Sequence, residues 1–186
     1  MIRIPLVTED AAPPEVSALY DVLKAEFKKV PNLFATAAHY PAAMKPLLEL
    51  FDALYNQSDL DPRLLEFVVI KIAYGYQSHY CLTLHKAFAL ERGVSNADIK
   101  AMEDRANWDA FPPAERALLE FTEQFQKEPL DVSDELFAGM RRHYSEGQIV
   151  NLTMLMGVAS LFGQMANALQ IPVDSFIGAA AGESTP

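Results

Sequence analysis

The stretch that decides the fold runs from Asp61 to His85, DPRLLEFVVIKIAYGYQSHYCLTLH. Asp61-Pro62 places an aspartate at an N-cap and a proline at the first helical position, where its missing N–H costs nothing. Leu64, Leu65, Val68, Val69 and Ile72 then recur at helical steps, so a helix is predicted toward Tyr74-Gly75-Tyr76. A second helix starts near Ser78 and ends at Gly93, a suitable residue just past a helix terminus.

The same periodicity extends outward in both directions. Pro13-Pro14-Glu15 opens a helix carrying Val16, Leu19, Tyr20, Leu23 and Phe27, and Val30-Pro31-Asn32-Leu33-Phe34 breaks it. Pro41 starts a helix with Met44, Leu47, Leu48, Phe51 and Leu54 on one face. Ser95 caps a short helix to Met102, Pro112-Pro113 opens another, and Ser133 caps a third from Glu135. Ser145 and Gln148 form a capping box ahead of an apolar helix through Ile149, Leu152, Leu155, Met156 and Val158. With eight glycines and little β-branched alternation, the chain is predicted to be all-α and a single domain over residues 1–186. The tail from Gly178 to Pro186 is small and polar and is predicted to be loose. Met154, Met156 and Met165 are expected in the core, and His39 and His143 are read as structural.

At an offset of 85 residues, the run from Asp61 to Phe67 echoes that from Glu146 to Leu152 in pattern more than identity. A possible two-fold helical repeat would pair Glu66, Ser78, Cys81 and His85 with Asn151, Gly163, Ala166 and Gln170. The reactive side chains would then occupy one copy.

A net charge of −10 disfavours nucleic acid, whose phosphates need a basic surface. No apolar run is read as approaching the eighteen or so residues that span a bilayer, so no membrane partner is expected. The N-terminus lacks the features of a secretory signal, and Cys81 is the single cysteine, so a cytoplasmic location is the default. One cysteine and scattered histidines make a poor metal set, and no cofactor is expected.

Cys81 and His85 lie four residues apart on the second helix and so share a face. An imidazole beside the sulfur, and a helix N-terminus near Ser78, would favour the thiolate. Glu66 lies in an otherwise apolar stretch, where a carboxylate needs a partner, and His85 is the candidate. The bland alternatives are a small core cysteine and a packing histidine. Tyr76, His79 and Tyr80 are read as packing groups at the helix start.

Glu66 through Ala73, Ser78-His79-Tyr80-Cys81 and His85 together resemble the AhpD-like, carboxymuconolactone decarboxylase family. Val30 to Phe34, Pro112 to Leu118 and Val132 to Phe137 resemble its longer, peroxidase-related members, so the likeness covers about residues 15–173. The resemblance implies an AhpD-like helical domain assembling as a homo-oligomer, a trimer or hexamer. It implies that Cys81 attacks a small-molecule hydroperoxide while His85 and Glu66 relay protons. Ser78 falls where such members carry the resolving cysteine, and a serine cannot close a disulfide. The expectation is therefore an alkylhydroperoxidase-like oxidoreductase of antioxidant type. It would be a one-cysteine thiol peroxidase or redox sensor, reduced by an external thiol. The alternatives are a redox-inactive scaffold that binds a small molecule, and an acid–base enzyme like the decarboxylase itself.

Overall fold

A computed structural model describes residues 2–175, and the expected loose tail lies outside the described residues. Nine α-helices and three short 3-10 turns make up its regular structure, with no strand among the described residues. The helices are α1 (Pro14–Phe27), α2 (Asn32–Ala37), α3 (Pro41–Tyr55), α4 (Pro62–Gly75) and α5 (His79–Glu91). They continue as α6 (Asn96–Ala101), α7 (Pro113–Lys127), α8 (Asp134–Arg141) and α9 (Glu146–Leu169).

The chain is built around α4, which packs against α5, α7 and α9. Every residue from Leu65 to Ala73 is buried, the signature of a helix enclosed on all sides rather than on one stripe. Asp61 caps it as predicted, its carboxylate accepting from Arg63 N–H at 2.9 Å. Its far end is shaped by α7: the Gln126 amide donates to Ile72 C=O at 2.9 Å. A Cβ on Gly75 would require the end of that side chain to shift. The Ser145–Gln148 capping box is present in both directions.

Four expectations need correction. Val30 to Phe34 is not only a break, because Asn32 begins the six-residue α2 once Pro31 has set the preceding backbone. Met156 is fully buried, but Met154 is exposed, as are Val150 and Leu161 on the same helix. The reading that no apolar run nears a bilayer span also fails. Helix α9 is long and apolar enough by length and composition, although more than half of that window is buried inside the protein. Lastly, the break between α4 and α5 at Tyr76–Ser78 has no counterpart in α9, which runs unbroken through 161–163. The echo at offset 85 is therefore one of helix pattern and not of a repeated helix pair.

Candidate active site

Glu66 is wholly buried in α4, and three side chains converge on it. The Tyr55 hydroxyl, from the end of α3, donates to Oε1 in a short hydrogen bond. The Arg92 guanidinium, just beyond α5, makes a close ion pair with the same oxygen. His85 Nδ1 meets Oε2 at 2.9 Å. Arg92 also donates to the Tyr55 hydroxyl at 2.7 Å and lies over its ring at 4.7 Å. Burial, and then the Glu66 charge, push the Tyr55 hydroxyl well above its ordinary range, so it stays protonated and donates. The carboxylate partner predicted for His85 is thus in place. A carboxylate at Oε2 holds the proton on Nδ1, which leaves Nε2 as the basic nitrogen.

Sequence reasoning missed Tyr55 and Arg92. Arg92 follows His85 by seven residues, two helical turns, so it returns to the same face. That spacing was the available signal, masked because Arg92 sits at the helix end beside Gly93, whose φ is +79°. Tyr55 offered none, since only tertiary packing brings α3 to α4.

Cys81 is buried, and with His85 it lines two small cavities of about 30 and 10 Å³. Each is of the order that admits one water molecule. Apart from His85 and the neighbouring Tyr80, their walls are apolar, with Phe51 and Phe162 common to both. Ser78 is the N-cap of α5, so Cys81 does sit in the first turn, as expected. The expected thiolate does not follow. Burial pushes the Cys81 thiol above its ordinary range, and the nearby Ser78 hydroxyl offsets only part of this. That hydroxyl is itself fully buried without a hydrogen bond of good geometry among the described residues. The preceding residue, Gln77, is held in the left-handed region at φ +52°.

Tyr80, read as a packing group, has a polar task as well. Its hydroxyl donates to Asp174 Oδ2 at 2.7 Å and accepts from Leu33 N–H at 3.2 Å. Asp174 Oδ1 accepts from Asn32 N–H at 2.9 Å. The segment after α9 is thereby fastened to the start of α2 and to the residue beside Cys81. His79 instead lines a separate cleft with Lys71 and Glu103.

Residues 41–124, which hold α3 through most of α7, match the carboxymuconolactone decarboxylase family. The uncharacterized protein YdfG of Bacillus subtilis is 25% identical over 130 residues, covering 69% of this chain and 88% of that protein. The fold matches the AhpD-core, peroxidase-related protein of Ralstonia eutropha JMP134 with a TM-score of 0.86 at 20% identity. That match covers 99% of this chain and 98% of the other. The debrominase Bmp8, solved as a cysteine-to-alanine variant with 2,3,4-tribromopyrrole, matches with a TM-score of 0.80 at 18% identity. Coverage there is 98% of this chain and 96% of Bmp8. Around the Glu66 cluster and Cys81, this chain therefore has the all-helical fold of the AhpD-core protein, and its residues 41–124 match the carboxymuconolactone decarboxylase family.

Proposed function

We propose that this protein is a one-cysteine thiol peroxidase or redox sensor in which Cys81 is the nucleophile. The observation that carries the reading is the shared cavity. A lone thiol faces an apolar space of about 30 Å³ together with His85, whose Nδ1 is held by Glu66. His85 Nε2 takes the thiol proton and the sulfur attacks the nearer peroxide oxygen, breaking the O–O bond. The proton then passes to the leaving oxygen: Cys81–SH + ROOH gives Cys81–SOH + ROH. Two equivalents of an external small thiol return the cysteine, releasing water and the thiol's disulfide. Ser78 has no sulfur to supply, so the reductant comes from outside the motif.

The elevated thiol favours a second reading, a redox-inactive scaffold that binds a small neutral molecule. Bmp8, with its bound tribromopyrrole, supports the idea that this fold accepts an apolar ring. An acid–base role for Glu66 is less favoured, because its two oxygens are engaged by Tyr55, Arg92 and His85. The homo-oligomer stays part of the proposal: the exposed Val150, Met154 and Leu161 on α9 form a face that a second copy would cover.

Intact mass after dilute peroxide decides between the two readings. The peroxidase reading expects one added oxygen on Cys81, reversed by thiol and lost in Cys81→Ala. An unchanged mass overturns it in favour of the scaffold. Light scattering tests the assembly, with Leu161→Glu expected to shift it toward monomer.

A further inference from the structure

A groove of about 310 Å³ opens on the outer face between α1 and α3. Leu19, Val22 and Leu48 form its apolar walls, and Val22 is largely exposed. Three of its lining residues, Phe27, Phe34 and Phe51, also line the cavity at Cys81. The groove and the cavity thus share the Phe27, Phe34 and Phe51 side of their walls.

We propose that this groove is the holding site for an uncharged, apolar small molecule, which reaches Cys81 when the Phe51 ring swings aside. Size supports a ligand: the groove is at the small end of ordinary ligand pockets, whereas the inner cavity admits little more than a water. Charge selects which ligand. The rim carries Glu26, Glu49 and Asp52 against Lys45, and Lys45 is already drawn toward Glu49 at 3.6 Å. Asp52 accepts from the Asn56 and Gln57 side chains, which hold its carboxyl below the usual range and keep it ionised. An anionic ligand would face this excess of negative charge, while a neutral one would not.

Phe51 is the movable divider. It is half-buried, stacks on Tyr55 at 5.0 Å between ring centroids, and lies 6.0 Å from Phe162. In the proposal, its ring opens the way by rotation about χ1 toward the groove mouth. The same ring covers Tyr55, so a ligand that displaces it also reaches the edge of the Glu66 cluster.

The kinetic arm of the test rests on Cys81 being a reactive thiol, whereas the binding arm does not. Cumyl alcohol is the neutral binding probe, followed by chemical-shift changes on the intact protein. Perturbations are expected at Leu19, Val22 and Leu48, and Val22→Trp or Leu48→Trp should weaken binding about tenfold by filling the space. For kinetics, cumene hydroperoxide is compared with hydrogen peroxide in oxidation of Cys81. The ratio of the two rates should fall about tenfold in Val22→Trp and rise in Phe51→Ala. Cumyl alcohol shifts elsewhere in the molecule, or none, overturn the proposal. So does a rate ratio unmoved by either variant. If Val22→Glu changes the molecular mass in light scattering and leaves cumyl alcohol binding intact, the groove belongs to a second copy. A thiol inert to both peroxides removes the peroxidase reading alone, because cumyl alcohol still decides the groove.

Discussion

The Glu66 corner and the Cys81 corner lie on adjoining helices and treat their polar atoms in opposite ways. At Glu66, Tyr55, His85 and Arg92 crowd around one buried carboxylate. At Cys81, a sulfur raised by burial sits beside a serine hydroxyl with no hydrogen bond of good geometry among the described residues. The first corner holds charge by pairing it. The second keeps charge out by burial. The difference teaches that the fold holds a buried carboxylate by surrounding it with partners, while one helix away burial keeps a thiol neutral.

The largest expected effect comes from breaking the paired corner. Glu66→Ala strands Arg92 and His85 and should cost about 3–5 kcal/mol, read from urea unfolding. A loss below about 1 kcal/mol would mean that solvent already screens the cluster. Next is Asp174, which pins the Cys81 side from outside. Asp174→Ala removes the acceptor of Tyr80 and Asn32 and should cost about 1–3 kcal/mol.

The Asp174 carboxyl has a pH signature with a defined sign. Burial raises it above its unfolded value, despite the hydrogen bonds it accepts from Tyr80 and Asn32. Its contribution to stability is therefore full below the unfolded carboxyl range and fades as pH rises through the folded value. Asp174→Asn should gain on the wild type as pH is raised from acidic to neutral, measured by urea unfolding at each pH.

On the sulfur side, alkylation of Cys81 by iodoacetamide should climb about tenfold per pH unit through neutrality. It should level off only above the ordinary thiol range, so a plateau near neutral pH would break the contrast between the corners. The smallest effect is expected from Ser78→Ala. Deleting a buried hydroxyl that lacks a hydrogen bond of good geometry among the described residues should change stability by about 1 kcal/mol or less, toward stabilisation. A clear destabilisation would show that Ser78 is held by a contact that forms in solution.

Most of the fold was legible because local rules and packing agree. Asp61, Ser95, Ser133 and Ser145 are caps in sequence and in structure, and the apolar steps from Leu64 to Ile72 mark the central helix. The Glu66–His85 pair was legible from the expense of burying a lone carboxylate. Tyr55 and Arg92 were not, since Tyr55 depends on how α3 docks and Arg92 has the sequence context of an ordinary helix end. The thiolate expectation failed for a related reason. Placement in the first turn of α5 can be read from spacing, but the apolar walls that outweigh it come from α2, α3 and α9.

The turn from Tyr76 to Ser78 sets the register of the whole site. It is three residues long, with Gln77 in a backbone region that non-glycine residues seldom adopt. Adding or removing one residue there would change how α5 is presented to α4. Cys81, His85 and Arg92 would leave the Glu66 face together. Length changes would be far better tolerated in the connections remote from this turn.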